Sequence, residues 1–187
     1  MATQPSLEEL SSIFLDKVRA IPNGEKIDEC LQCGTCSASC PTSDAMEYGP
    51  REIIAALRAG MLDRVLKSNT VWLCASCYSC TVRCPASIPF TDVMYELKRL
   101  GAEHGLYPKG TTNAVMAKAF VESVDKYGRN NEATLIRKYY FRTNFMKAVS
   151  QMGLAWRLMS HGRMSFRPHK IKDVAGLRKM LAAIEEN

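Results

Sequence analysis

The eight cysteines are the residues of this chain whose type and spacing indicate chemistry. They lie in two runs, CLQCGTCSASCP and CASCYSCTVRCP, that share the spacing C-x2-C-x2-C-x3-C-P. The runs comprise Cys30, Cys33, Cys36 and Cys40 before Pro41, and Cys74, Cys77, Cys80 and Cys84 before Pro85. A cubane cluster has four iron corners, and C-x2-C-x2-C lets one tight loop supply thiolates to three of them. The pattern therefore predicts two 4Fe-4S clusters, with all eight cysteines as metal ligands.

Disulfides and zinc are the alternative uses of these cysteines. A disulfide framework normally distributes its cysteines along a secreted chain, whereas no cysteine here lies outside the two runs. A structural zinc site uses two C-x2-C pairs well apart in sequence, without a third cysteine at the same interval. Iron-sulfur ligation is the better interpretation, and a zinc-bearing scaffold protein is kept as a separate hypothesis.

Charge and hydropathy restrict the location of the protein. The 25 Lys and Arg against 19 Asp and Glu give a formal net charge of +6, which counts every cysteine as neutral. Eight thiolates and two cluster cores of about +2 each would leave the loaded protein near +2. Acidic residues interrupt the apolar start of the chain, unlike a signal peptide. No uncharged apolar run approaches the roughly 18 residues that span a bilayer, so we expect a cytoplasmic protein with no membrane partner.

Helix signals recur along the whole chain, and alternating strand patterns are almost absent, so we expect a mainly α fold. Ser6 and Glu9 form a capping box before a helix at about 7–20. Pro50 begins a short helix that stops at Gly60. The other predicted helices are 61–66, one capped by Thr91 or Asp92 that ends at Gly101 or Gly105, and then 112–127, 131–141, 144–160 and 173–185.

The chain is predicted to form two domains, a cluster-binding domain at 1–110 and a helical extension at 111–187. The first domain resembles a duplication, because two residues recur 44 positions after their first occurrence and a third is replaced there by a similar apolar residue. They are Ser43, Glu52 and Ile53, which return as Ser87, Glu96 and Leu97.

The extension is strongly basic. Between residues 133 and 182 it has eleven Lys and Arg and one acidic residue, Asp173. Met146, Met152 and Met159 form an amphipathic stripe that either packs within the chain or contacts a partner, which the basic residues would orient if it is acidic. No nucleic-acid-reading module is recognised, and such a partner would leave the cysteines unexplained, so we expect no nucleic acid partner.

Histidines and aromatic residues give weaker signals. His104, His161 and His169 have no ligand spacing with one another or with carboxylates, so they are assigned no role. Trp72 and Tyr78 flank or enter the second cysteine run, where they either shield a cluster from water or are ordinary core aromatics. The bulkier spacers of the second run predict unequal potentials for the two clusters.

The chain resembles the helical ferredoxin modules of respiratory-type oxidoreductases. Within them it is most similar to the family of heterodisulfide reductase iron-sulfur C subunits of methanogens. The resemblance rests on the two cysteine runs, the 33 residues between Cys40 and Cys74, the segment PREIIAALRAG and the basic helical tail. It implies a helical ferredoxin-like module that binds two 4Fe-4S clusters, with an N-terminal helix and a C-terminal helical extension for packing and partner docking.

The resemblance also implies how the cysteines are shared. In bacterial two-cluster ferredoxins the last cysteine of each run, the one before proline, ligates the opposite cluster. The corresponding ligands here are Cys30, Cys33, Cys36 and Cys84 for cluster 1, and Cys74, Cys77, Cys80 and Cys40 for cluster 2.

Members of this family act in methanogenesis, so the resemblance implies an electron-transfer subunit without catalytic residues. It would relay electrons from a flavin-containing subunit to a catalytic subunit that reduces the CoM-S-S-CoB heterodisulfide. The implied partners are that catalytic subunit with its cysteine-rich clusters, the flavin/iron-sulfur subunit, and a hydrogenase or formate dehydrogenase module. An iron-sulfur relay subunit of another flavin-linked dehydrogenase, of the glycerol-3-phosphate, lactate or glycolate type, is the alternative.

Overall fold

The computed structural model describes residues 6–163 and 168–185. Within these ranges every regular element is helical and no strand occurs, so the expected mainly α fold is confirmed. The chain divides into two compact units, Met1–Thr111 and Thr112–Asn187. Arg167, one of the eleven basic residues of the extension, lies outside the described residues.

The first unit contains the two cysteine runs. Its α-helices are α1 (Leu7–Ala20), α2 (Thr35–Ala38), α3 (Pro50–Arg58), α4 (Leu62–Lys67), α5 (Thr70–Leu73), α6 (Ser79–Val82) and α7 (Phe90–His104). Two short 3₁₀ segments, Gly24–Glu29 and Ser43–Ala45, complete it.

The capping box predicted for α1 is confirmed. Glu9 N donates to Ser6 Oγ at 3.2 Å, and Ser6 N donates to Glu9 Oε2 at 2.7 Å. The start of α3 is confirmed as well, because Pro50 is its first residue and Glu52 Oε2 accepts from Gly49 N at 2.7 Å. At α1 both partners of the box are present, whereas at α3 the N-cap is glycine and only the Glu52 contact satisfies a backbone donor.

The hydrophobic core of the first unit is built from α1, α3, α4 and α7. Its fully buried side chains include Phe14, Val18, Ile53, Val65, Val93 and Leu97. Burying one such side chain stabilises the fold by about 1.5–3 kcal/mol. Partly buried Cys30, Cys74, Cys80 and Cys84 pack against this core, so the core holds both runs in place.

The residues predicted to cap the N-terminus of α7 are wrong. The helix begins at Phe90 after Pro89, and no side chain caps it. Thr91 and Asp92 lie inside the first turn because both side chains are used elsewhere: Thr91 bonds Thr81, and Asp92 accepts from a tyrosine of the second run. The exit at Gly105 is confirmed, since this residue adopts a φ of 66° that favours glycine.

The second unit comprises α8 (Thr112–Tyr127), α9 (Glu132–Thr143), α10 (Phe145–Ser150), α11 (Met152–Ser160) and α12 (Val174–Glu185). The single helix predicted at 144–160 is wrong, because the structure divides it at Gln151. Gln151 N donates to both Lys147 O and Ala148 O at 3.2 Å, a tightening typical of helix ends. Gly153, two residues later, has a low helix propensity that weakens continuation.

Candidate iron-sulfur site

The two cysteine runs adopt the same backbone conformation. Gln32 and Ser76 have φ values of 55° and 54°, and Gly34 and Tyr78 have φ values of 82° and 60°. Each pair is 44 positions apart, and a one-turn helix, α2 or α6, follows at once. These short helices were missed by the sequence analysis, because a single turn has no periodicity to detect.

Equivalent contacts join each run to the helix that follows it. Ser37 Oγ accepts from Arg51 N at 3.0 Å, and Thr81 Oγ1 accepts from Thr91 N at 3.0 Å. The backbone carbonyl of the first cysteine in each run also accepts a hydrogen bond from a basic side chain. Arg58 Nη1 donates to Cys30 O at 3.0 Å, and Lys98 Nζ donates to Cys74 O at 2.9 Å.

These contacts correct the residue correspondence that was predicted for the internal repeat. The runs repeat at 44 residues, but the helices repeat at 40, because the connection from Cys40 to Pro50 is four residues longer than that from Cys84 to Phe90. The counterparts of Glu52 and Ile53 are therefore not Glu96 and Leu97. Buried positions follow the same register, with Pro50, Ile53, Ile54 and Leu57 matching Phe90, Val93, Met94 and Leu97.

Two pockets of similar size lie between the runs. The first has about 410 Å³ of empty space, part of it open to solvent, and the second has about 400 Å³. The cysteines that line the first are Cys30, Cys33, Cys36, Cys80 and Cys84. Those that line the second are Cys40, Cys74, Cys77 and Cys80. The structure thus brings the last cysteine of each run beside the first three of the other, and Cys80 borders both pockets.

The donor set of these pockets fits two polynuclear clusters. All eight thiols are free of disulfides, and apolar side chains such as Ile54, Met94 and Phe90 form much of the remaining walls. Among residues 6–163 and 168–185, no three Cys, His, Asp or Glu side chains are placed to hold a single metal ion. The sulfurs instead surround a space, as the separate iron corners of a cubane require.

Hydrogen-bonding groups surround the sulfurs. Gln32 Nε2 donates to Cys30 Sγ at 3.3 Å. Hydroxyl groups lie 3.4–3.5 Å from four other sulfurs, in the pairs Thr35–Cys33, Thr42–Cys40, Ser79–Cys77 and Thr91–Cys80. A metal-bound thiolate only accepts hydrogen bonds, so these groups would stabilise it and raise the cluster potential. Three of the four hydroxyls follow their cysteine by two residues, a signal that the sequence analysis missed.

Each cysteine run contains one exposed thiol, Cys33 or Cys77, and a partly buried one three residues later. The Thr35 hydroxyl lowers the pKa of Cys33, and the Ser79 hydroxyl lowers the pKa of Cys77. Burial raises the pKa of Cys36 and of Cys80. Of the two, the exposed cysteine of each run is therefore easier to deprotonate than the partly buried one.

Of the aromatic residues and histidines considered in the sequence, only Tyr78 is at one of the two pockets. Tyr78 lines the second pocket. Trp72 lines neither pocket and packs edge-to-face on Tyr107, with ring centroids 5.9 Å apart. The three histidines line neither pocket.

Comparison with known families defines the class of this site. Residues 26–88 match the family described as a 4Fe-4S dicluster domain. This match covers both cysteine runs and the helices between them. The protein is therefore a two-cluster iron-sulfur protein, and the two 4Fe-4S clusters predicted from the cysteine spacing are confirmed.

Individual relatives narrow the class. The iron-sulfur C subunit of the CoB–CoM heterodisulfide reductase of Methanopyrus kandleri is 32% identical over 132 residues, which are 71% of this chain and 67% of that protein. The C subunit of the H2:CoB-CoM heterodisulfide,ferredoxin reductase of Methanothermobacter marburgensis is 36% identical over 92 residues, 49% of each chain. The C subunit of the ferredoxin:CoB-CoM heterodisulfide reductase of Methanosarcina mazei is 40% identical over 82 residues, 44% of this chain and 50% of that one.

The chain belongs to the family of heterodisulfide reductase iron-sulfur C subunits, as the resemblance predicted. It matches about half the length of the last two relatives. Within the described ranges, no helix has both the length and the apolar character to cross a membrane.

Proposed function

We propose that this protein is the electron-transfer subunit of a cytoplasmic heterodisulfide reductase complex. It relays electrons through its two clusters from a flavin-containing subunit to the catalytic subunit that reduces the CoM-S-S-CoB heterodisulfide. The observation that supports a relay most directly is that Cys80 lines both pockets. Phe90 lines both pockets as well, so two bound clusters would be neighbours, which favours rapid electron transfer between them.

The proposed ligands are Cys30, Cys33, Cys36 and Cys84 for cluster 1, and Cys74, Cys77, Cys80 and Cys40 for cluster 2. The lining of the two pockets supports this exchange of the last cysteines. The clusters supply one-electron transfer, while the chain orients them, limits water and donates hydrogen bonds to sulfur. Because all eight cysteines serve as ligands, none is left to build a further catalytic cluster, which supports a subunit without a catalytic residue of its own.

Serine substitution tests the exchange. Cys40→Ser is expected to alter the paramagnetic signal of the cluster bound by Cys74, Cys77 and Cys80, and Cys84→Ser is the matched change for the other cluster. If Cys40→Ser instead alters only the cluster bound by the first run, the ligands are not exchanged.

The proposed partners are the flavin/iron-sulfur subunit, the catalytic subunit with cysteine-rich clusters, and a hydrogenase or formate dehydrogenase module. The names of the relatives support this choice over another flavin-linked dehydrogenase, because they refer to CoB–CoM heterodisulfide and, in Methanococcus maripaludis, to H2/formate. Purifying the native complex tests it: companion subunits and reduction of CoM-S-S-CoB are expected. Companions that oxidise glycerol-3-phosphate, lactate or glycolate would replace the first function with the alternative.

We further propose that the unit 112–187 docks an acidic, apolar helical segment of a partner subunit. Helices α9 and α11 form a groove with about 1050 Å³ of empty space, lined by Ile136, Tyr140, Phe141, Met152, Ala155 and Met159. Phe141, Met146 and Trp156 nearby are 68–73% exposed, which favours an interface.

Charge determines the kind of partner. Arg137, Lys147 and Arg157 lie on α9, α10 and α11, are exposed, and form no ion pair within the described residues. An acidic segment would pair with them while its apolar side enters the groove.

A matched charge reversal tests this docking. Changing Arg137, Lys147 and Arg157 to Glu is expected to weaken binding of the co-purified subunits about tenfold or more, that is by at least ~1.4 kcal/mol. Changing Lys170, Lys172 and Lys179 to Glu alters the net charge equally and is expected to have little effect. Equal weakening of binding by both variants would reject the acidic partner. So would a dimer of this chain in analytical ultracentrifugation that forms through the groove.

A further inference from the structure

The two cysteine runs share a backbone conformation but differ in several side chains, and one of these differences lies at a left-handed position. The left-handed residue before the one-turn helix is Gly34 in the first run, with φ 82°, and Tyr78 in the second, with φ 60°. Glycine adopts this region freely, whereas a residue with a Cβ is strained there. A bulky side chain kept in a strained conformation points to a role for that side chain.

The Tyr78 side chain is fixed by a residue of α7. Its hydroxyl donates to Asp92 Oδ1 at 2.9 Å. The counterpart of Asp92 in α3 is Glu52, which accepts from Gly49 N and so caps its own helix. No side chain caps α7, so Asp92 is used to hold the tyrosine instead of the helix terminus.

The position of the ring is between the second pocket and solvent. Tyr78 lines that pocket and is 40% exposed. At the first pocket Gly34 contributes no side chain, and a Cβ built there would find only Arg51 Cδ, at 4.0 Å. One pocket therefore has an aromatic cover where the other has none.

We propose that Tyr78, tethered by Asp92, is a positioning residue that covers the second pocket, limits water at the cluster bound there and lowers its potential relative to the first. Reduction adds negative charge to a cluster that is already anionic with its four thiolates. Excluding water makes that added charge less favourable. This role of Tyr78 requires a cluster in each pocket, but not the particular reductase complex, so it can fail while the proposed function stands.

The test uses the complete two-cluster protein and three variants. Tyr78→Gly removes the cover and relieves the strained backbone, so the chain is expected to fold and load. Tyr78→Phe retains the ring and removes the tether to Asp92. Ile13→Ala is the control for loss of an exposed apolar side chain, because Ile13 is 41% exposed in the same unit and lines neither pocket.

Two measurements give the result: the potentials of both clusters from a mediated dithionite titration followed by electron paramagnetic resonance, and the rate of cluster loss in air. Tyr78→Gly is expected to raise the potential of the second cluster and to speed its oxidative loss several-fold, with the first cluster unchanged. Tyr78→Phe is expected to fall between Tyr78→Gly and the parent.

Two outcomes would overturn the proposal. One is a Tyr78→Gly protein whose second cluster matches that of Ile13→Ala in both potential and lifetime. If Tyr78→Gly loads no clusters, Tyr78→Phe decides alone, and a second cluster identical to that of the parent would show that the tether has no such role.

Discussion

Arg83 Nη1 donates a hydrogen bond to Ser39 Oγ at 3.3 Å, and these two residues occupy the same position in the two cysteine runs, 44 residues apart. The contact therefore joins the halves of the duplication. It lies directly beside Cys40 and Cys84, the two cysteines that the pocket lining places with the opposite run.

This contact predicts a measurable coupling between the runs. Arg83→Ala, Ser39→Ala and the double variant form a cycle, and we expect a coupling free energy of about 0.5–1 kcal/mol, typical of an exposed hydrogen bond. Anaerobic urea unfolding of the cluster-loaded protein measures it. Additive single effects would mean that the two runs are held together without this contact.

Thr91 connects α7 to the second cysteine run. Its hydroxyl lies 3.5 Å from Cys80 Sγ and accepts from Thr81 Oγ1 at 3.0 Å. Thr91→Val keeps the shape and removes the hydroxyl, so we expect the second cluster to have a lower potential, because a hydrogen bond to sulfur stabilises the reduced state. A redox titration measures the potential.

Thr134→Val is the control for Thr91→Val. Thr134 is also a buried threonine, but it belongs to the second unit and lines neither cluster pocket. If both variants leave both potentials unchanged, the Thr91 hydroxyl does not interact with the bound thiolate.

Glu122 makes the stability of the second unit depend on pH. Hydrogen bonds from Arg142 and from Lys138 lower its pKa from 4.5 to about 2. Since the pKa is lower in the folded state, the stabilisation is present above pH 4.5 and is lost as the pH falls toward 2. Because the groups are partly exposed, we expect Glu122→Gln to destabilise α8 and α9 by about 1 kcal/mol or less at pH 7.

Amide hydrogen exchange of α8 and α9 measures this effect. The difference between the parent and Glu122→Gln is expected to be constant from pH 7 down to the ordinary carboxyl pKa of 4.5, and to shrink below it. Glu103→Gln removes an exposed ion pair with Lys17 in the first unit and serves as control. A difference that grows on acidification would contradict the assignment.

Metal analysis decides between iron and zinc. Two cubanes predict about eight iron and eight acid-labile sulfide per chain, four of each per cluster. Removal of the iron under anaerobic conditions is expected to make all eight thiols reactive, because they are free of disulfides. One or two zinc ions per chain without sulfide would support the scaffold hypothesis instead.

The sequence was sufficient wherever the signal is local. The spacing of the cysteines predicts the two clusters, and Ser6 and Glu9 predict the start of α1. The predicted helix 112–127 coincides with α8, which ends before Gly128, a glycine with φ 76°. Each depends on residues within a few positions of one another, where the side-chain chemistry alone determines the conformation.

The sequence was insufficient where two registers satisfy the same pattern. The helices after the runs repeat at 40 residues, four fewer than the runs. Four residues are close to one helical turn of 3.6, so apolar residues at Leu97 or Val93 lie on the same face in either alignment. The backbone contacts of Arg51 and Thr91, and the side-chain contacts of Arg58 and Lys98, distinguish the two registers.

Tertiary competition explains the wrong caps of α7. Thr91 and Asp92 are good capping residues by type, but in the structure their side chains form hydrogen bonds with Thr81 and Tyr78 instead. Such competition involves residues 10 to 14 positions away and has no local signature. The same limit applies to the pairing of Cys80 with Thr91, which no spacing rule detects.

The shared wall at Cys80 divides the kinetics of the protein into two kinds of step. Both pockets lie inside a single packed unit, so we expect the rate of electron passage between them to be independent of ionic strength, viscosity and the concentration of other subunits. Arrival and departure of electrons depend on encounter with neighbouring surfaces and are sensitive to all three. We therefore expect the encounter steps at the surface of this chain to limit electron throughput.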